Sequence, residues 1–260
     1  MPAAIPASPK ASPATDKGAP DGPIVSLSGV RFSWSAGSPV VIGIEHLDLP
    51  RGDSLFVRGP SGSGKSTLLS LLGGMVVSQH GTVRVLGQDL AALGGAGRDR
   101  FRADHIGFIF QMFNLIPYLS VVENVVLPCG FSARRSEQAA KAGGSVQAEA
   151  LRLLKHLDMA DPDILGRRVT DLSVGQQQRV AAARALIGGP ELIIADEPTS
   201  ALDADRRLAF IELLFEECAR ERSSLVFVSH DAELAARFDR SFELAANGST
   251  GGAESGQSGP

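Results

Sequence analysis

GPSGSGKST (residues 59–67) follows a short apolar run, SLFVRG (54–59), and opens an apolar stretch of helical character that begins near Lys65. The nonapeptide fits G-x-x-x-x-G-K-[ST], and strand before, helix after is the context that pattern requires. Gly59, Gly62 and Gly64, with Pro60, Ser61 and Ser63 between them, let consecutive backbone N–H groups turn inward around phosphate oxygens. A helix starting at Lys65 aims its positive end at the same anion. The Lys65 ammonium would reach the outer phosphates, and the Ser66 hydroxyl, with Thr67 beside it, would ligate Mg²⁺. Read as an ordinary Gly/Ser turn, the segment leaves Lys65, Ser66 and Thr67 unexplained.

A second element agrees with the first. LIIADE (192–197) is an apolar run that ends in two acids. At the carboxyl edge of a strand, Asp196 would hold Mg²⁺ and Glu197 would polarise a water for attack on phosphorus. Around these two motifs, IVSLSGVRFSW (24–34), VIGIEHLDL (41–49) and TVRVLG (82–87) alternate apolar and polar residues, as half-buried antiparallel strands do. IGFIFQ (106–111) is a short β-like run. Residues 137–160 read as helical, with Val146, Ala150, Leu153, Leu154 and Leu157 on one face. ELIIADE, DADRRLAFIELLFEECARER and SLVFVSH read as strand, helix, strand, with Leu208, Ile211, Phe215 and Cys218 forming the helix stripe. That order implies parallel strands covered by helices. The expected fold is α/β: a P-loop NTPase core interrupted by a mostly helical segment over about 91–180, and kinases, G-proteins and helicases share these two motifs.

Composition bounds the rest. The chain has 260 residues, 43% of them hydrophobic, enough for one sizeable core within 24–246. Residues 1–23 hold six of the fifteen prolines and 247–260 are Gly/Ser-rich, so both read as disordered tails. Net charge is −4 with no long Lys/Arg tract, which gives a nucleic-acid partner no electrostatic footprint. Cys129 and Cys218 are far apart and read as thiols of a reducing compartment. No apolar run is long enough to span a bilayer, and the N-terminus lacks a signal-peptide core. The expectation is a soluble cytoplasmic protein whose membrane association, if any, comes through a partner.

LSVGQQQR (172–179) reads locally as a helix start capped by Ser173. Taken with the others it says more. GPSGSGKST, Gln111 in FIFQMFNLIP, LSVGQQQR, LIIADEPTSALD ending at Asp203, and VSHD containing His230 stand in one order along the chain. In that order they resemble the Walker A loop, Q-loop, signature, Walker B with D-loop, and switch histidine of an ABC transporter nucleotide-binding subunit. The resemblance covers essentially all of 24–246 and implies a RecA-like core with an antiparallel β subdomain and an inserted α-helical subdomain.

It implies a dimer in which two chains pack head to tail around two ATP molecules, a homodimer being expected. Each ATP would lie on one Walker A loop and face Ser173, Gly175 and Gln176 of the other chain, with Asp203 also directed to the opposite subunit. It further implies Glu197 as catalytic base, His230 on the γ-phosphate, Gln111 on Mg²⁺ or the attacking water, and an aromatic adenine platform, for which Trp34 is the better match and Phe32 the second. Val174 departs from the pattern by replacing the first of two signature glycines. Residues 107–128, GFIFQMFNLIPYLSVVENVVLP, resemble the branch of lipoprotein-releasing, macrolide-efflux and cell-division ATPases. That implies a permease partner in the membrane, met through about 112–124, where Phe113, Leu115, Ile116, Pro117 and Tyr118 would form an exposed apolar patch. The alternative is a soluble ABC-type ATPase of DNA repair or translation. No heptad run and only one Walker A loop weigh against it, and a kinase or GTPase leaves LSVGQQQR and VSHD unexplained.

Overall fold

The computed structural model describes residues 22–159 and 161–245, so most of the two tails expected at 1–23 and 247–260 lies outside the described residues. Two sheets organise the chain. The first is antiparallel, with β1 (Val25–Phe32), β2 (Ile42–Leu49), β4 (His80–Val85) and β5 (Gln88–Asp89) in the order β2-β1-β4-β5. Its strands alternate buried and exposed positions, as the sequence does. The second is parallel: β3 (Ser54–Arg58), β6 (Ile106–Ile109), β7 (Leu192–Asp196), β8 (Ser224–Val228) and β9 (Arg240–Glu243) in the order β6-β7-β8-β3-β9. Here β7 and β8 are buried almost throughout, because both faces are covered.

Successive side chains of the parallel strands feed two separate cores. Leu55, Val57, Ile194 and Val228 face the antiparallel sheet and α1 (Lys65–Leu72). Phe56, Ile193, Ala195 and Phe227 face α7 (Val174–Leu186) and α8 (Ala204–Glu221), with α3 (Val121–Val126) and α5 (Val146–His156) packed beyond them. The remaining helices are α2 (Gly95–His105), α4 (Ala133–Gly143) and α6 (Pro162–Leu165).

Two boundaries differ from the sequence reading. The run read as helical over 137–160 is two helices, α4 and α5, with Gly144 at φ +82 between them and Ser145 capping the second. A Cβ on Gly143 would lie 2.5 Å from the Glu149 backbone nitrogen, so the pair of glycines lets the helices turn back closely on each other. Within 91–180, β6 pairs with β7 in the parallel sheet, since Ile106 and Ile109 bury into opposite cores. The carboxyl end of α7 rests on that strand, and a Cβ on Gly107 would meet the Ala185 carbonyl oxygen at 2.2 Å. In α8 the buried stripe is Phe210, Ile211, Leu214, Glu217 and Cys218, while Leu208 and Phe215 are partly buried beside it. Both cysteines are free thiols.

Candidate functional site at the carboxyl edge of the parallel sheet

Strand order does most of the assembly. With β6, β7, β8 and β3 adjacent, their carboxyl ends bring Gln111, then Asp196 and Glu197, then His230, then the 59–67 loop to one edge. That edge is where open α/β sheets bind ligands.

The loop is shaped by its glycines. Gly62 and Gly64 take φ of +80 and +95, and Gly64 is also the N-cap of α1. A Cβ on Gly64 would lie 2.8 Å from both Ile42 Cδ1 and the Val41 carbonyl oxygen; one on Gly59 would lie 2.6 Å from the Leu244 carbonyl oxygen. Only glycine lets the backbone approach its neighbours so closely. Lys65 is buried and its Nζ donates to the Gly59 and Pro60 carbonyls at 2.8 and 3.0 Å, which holds the ammonium across the loop. Ser63 Oγ is buried with no partner among the described residues. Pro60, Ser61, Gly62 and Ser66 are exposed, and Thr67 is buried in the first turn of α1. The Ser66 hydroxyl donates to Asp196 Oδ2 at 3.3 Å. Burial pushes the Asp196 carboxyl above the usual range against that hydrogen bond, and the neighbouring Glu197 charge adds to the rise.

Glu197 leaves the end of β7 with φ +45, a strained value for a non-glycine residue. Its N–H donates to the Val228 carbonyl at 3.0 Å, which holds that turn against β8. His230 Nε2 meets Glu197 Oε1 at 2.5 Å. Gln111 is exposed just past β6, ahead of a turn in which Phe113 and Asn114 both have positive φ. Arg184 of α7 fixes that turn by donating to the Phe113 and Asn114 carbonyls at 2.5 and 2.7 Å. Sequence reasoning missed Arg184: an arginine in an alanine-rich helix carries no local sign of what it will grip.

Trp34 and Phe32 separate clearly. Phe32 is buried, whereas Trp34 is 61% exposed in the β1–β2 loop, edge-on to Phe32 at 5.1 Å. Only the tryptophan face is free to stack, and its loop returns to the Val41 and Ile42 positions that touch Gly64.

Ser173 caps α7 in a reciprocal capping box with Gln176: the Ser173 N–H donates to Gln176 Oε1 at 2.9 Å, and the Gln176 N–H to Ser173 Oγ at 3.3 Å. Ser173, Gly175 and Gln176 line one cavity with Leu202 and Arg206, to which no residue of the 59–67 loop contributes. Val174 is half exposed at the first helical position. Asp203 caps α8 through the Arg206 N–H at 2.9 Å.

In the 112–124 segment, Phe113 and Leu115 turn inward and pack on the core, so the exposed apolar patch is smaller than expected. Met112 and Tyr118 remain largely exposed, and Pro117 is exposed with them. Asn124 is fully buried and draws the segment in, accepting from the Ile116 N–H at 2.8 Å and donating to the Ile116 carbonyl at 3.1 Å. Beside the segment lies a cavity of about 760 Å³ lined by Met75, Phe108, Phe110, Asn114, Phe131 and Arg184 among others. No helix among the described residues is long and apolar enough to cross a membrane.

Comparison with known proteins bears on the family and the fold of the chain. The family model described as ABC transporter matches residues 45–200. The macrolide export ATP-binding/permease protein MacB of Bradyrhizobium diazoefficiens is 40% identical over 85% of this chain, which spans 33% of that protein's length. The lipoprotein-releasing system ATP-binding protein LolD of Anaeromyxobacter dehalogenans is 42% identical over 85% of this chain and 90% of its own length. Among solved structures, the dimeric post-hydrolysis state of an ATP-binding cassette bound to ADP and Pi superposes with a TM-score of 0.77 at 33% identity. That superposition covers 90% of this chain and 99% of the cassette.

Proposed function

This chain belongs to the ABC transporter family as an ATP-binding, ATP-hydrolysing subunit of the LolD and MacB type, and we propose that two copies close around two ATP molecules to drive a membrane permease. The observation that carries the proposal is the separation of two half-sites on one chain. The phosphate loop, Asp196, Glu197 and His230 share one strand edge, while Ser173 and Gly175 open a helix beside a cavity that the loop does not reach. A helix N-terminus set apart from the phosphate loop of its own chain would be completed by the γ-phosphate held on a second copy.

In each composite site the loop N–H groups and Lys65 bind the phosphates, and Trp34 stacks on adenine. Ser173, Gly175 and Gln176 of the opposite copy face the γ-phosphate, with Asp203 at the same seam. Ser66 and Asp196, whose oxygens sit 3.3 Å apart, are a hard donor set that fits Mg²⁺. Gln111 stands at the next strand end, where its side-chain oxygen would ligate that ion or accept a hydrogen bond from the attacking water. When bound, Mg²⁺ would neutralise phosphate charge and polarise the γ-phosphoryl group. Glu197 accepts the proton of the attacking water at Oε, water oxygen bonds to the γ-phosphorus, and the bond to the ADP oxygen breaks. His230, at 2.5 Å from Glu197, orients that carboxylate and contacts the γ-phosphate. Loss of the shared anion weakens the dimer, and the permease reads opening and closing as movement.

The permease docks at 112–124 and the neighbouring cavity, supported by the exposure of Met112 and Tyr118 in that segment and by Asn114, which lines the cavity. The chain would then sit on the cytoplasmic face of the membrane through that partner. The alternative in DNA repair finds no support: the longest helix among the described residues, α8, has 18 residues, too short for a coiled-coil arm.

Glu197→Gln tests the proposal. With ATP and Mg²⁺ the variant should double its mass by light scattering and return to a monomer when ATP is removed. A variant that binds ATP yet stays monomeric would refute closure around shared nucleotide.

A further inference from the structure

We infer that Arg207 is a positioning residue for His230 and ties that histidine to the signature surface of the same chain. The inference rests on the ATPase reading above. Arg207 lies one turn into α8, where its N–H donates to the Asp203 carbonyl at 2.9 Å. Its guanidinium then reaches two loops at once: Nη2 donates to the Leu202 carbonyl at 3.2 Å, and Nη1 pairs with the Asp231 carboxylate. Nε is buried with no partner among the described residues, so these two contacts account for the anchoring of the group.

Asp231 is the residue after His230, and it is held on every side. Oδ2 takes Arg207, Oδ1 accepts from the Glu233 N–H at 3.2 Å, and its own N–H donates to Ser229 Oγ at 3.1 Å. His230 itself has a side chain 53% exposed. Packing therefore does not fix the ring, and its approach to Glu197 depends on the backbone that Asp231 holds. The salt link is only a quarter exposed at each partner, so its geometry is set by the fork of the guanidinium rather than by charge alone.

The other end of the brace points to the signature. A Cβ on Gly175 would lie 3.6 Å from Leu202 Cδ2, and the two residues line one cavity with Ser173. A shift of Leu202 as Ser173 and Gly175 engage an opposing nucleotide would pass through its carbonyl to Arg207, then to Asp231 and His230. Gly175, Leu202, Arg207, Asp231, His230 and Glu197 thus form one contiguous path between the two half-sites of a chain.

Arg207→Lys keeps the charge but cannot span both acceptors. The readout is the imidazole Cε1–H NMR spectrum, in which the protein has five histidines, with His230 assigned by His230→Ala. In Arg207→Lys the His230 signal should shift or broaden while those of His46, His80, His105 and His156 stay in place. Turnover should fall about tenfold with KM for ATP within about twofold, the pattern of a lost transition-state arrangement. Asp231→Asn breaks the same link from the other side and should move the same signal. A His230 signal unmoved in both variants, or kcat unchanged while only the melting temperature falls, would overturn the inference. The NMR readout needs no hydrolysis, so it stands apart from failure of the ATPase reading, which wild-type turnover decides.

Discussion

Replacing Ser173 by alanine sets two readings of one residue against each other. As a helix cap, Ser173 accepts from the Gln176 N–H at 3.3 Å, a long bond, and donates its own N–H to Gln176 Oε1 at 2.9 Å. Alanine removes the first and leaves the second available. The rest of α7 stays anchored, since Val180 to Leu186 are buried. Loss of such a cap costs about 1 kcal/mol. For a domain of this size that lowers the melting temperature by roughly 2–4 °C. Turnover at 25 °C would then hardly change if capping were the whole role. If Ser173 also donates to a γ-phosphate across a dimer, one transition-state donor is lost, worth about 10²–10³ in kcat. Steady-state phosphate release and differential scanning calorimetry on the same sample separate the two. Ser173→Asn sharpens the comparison, because asparagine caps as well as serine; it should restore the melting temperature and leave hydrolysis slow. A Ser173→Ala enzyme within about threefold of wild-type turnover, with the small melting shift, would refute the reasoning of the composite site.

Other outcomes follow from the same geometry. Val174→Gly should change turnover by less than about threefold, since Val174 is half exposed at a helix start, where a glycine costs at most about 1 kcal/mol; phosphate release checks it. Trp34 is the single tryptophan of the chain, so its fluorescence should respond to ATP directly, and Trp34→Ala should raise the ATP dissociation constant by about tenfold, as loss of a base–aromatic stack does. Arg152 forks between Glu149 and Glu217, both buried, so Arg152→Met should destabilise the fold by about 3–5 kcal/mol in urea titrations. Burial pushes the Glu217 carboxyl up, but its hydrogen bonds and charge contacts with Arg152 outweigh that and hold it below the usual glutamate range. A depressed carboxyl stabilises above its unfolded pKa and loses that contribution as pH falls through the folded one, so wild-type stability should drop on acidification below about pH 4.5. In Arg152→Met that acid-side drop should flatten, as melting curves between about pH 2.5 and 6 would show.

Sequence alone pointed to the chemistry each motif is suited to. The phosphate loop was legible because its demands are local: glycines for positive φ, a lysine and a serine at a helix start. The buried parallel strands were legible because continuous apolar runs have few other places to go. The capping of α7 by Ser173 was legible for the same reason, since a cap involves residues three apart. What the sequence could not decide was anything that depends on side chains distant along the chain. Strand order β6-β7-β8-β3 places Gln111, Glu197, His230 and Lys65 at one edge, and no spacing in the sequence encodes that adjacency. The sequence ranked Trp34 above Phe32 as an aromatic platform, but that the first ring is exposed and the second buried is decided by the fold. Phe113 and Leu115 turned inward because Asn124 pins their segment from eight residues away. No local pattern marks Arg184 or Arg207; the fold brings backbone carbonyls and a carboxylate within their reach. Local conformational preference is written in neighbouring residues; the partner of a long cationic side chain is written only in the packing.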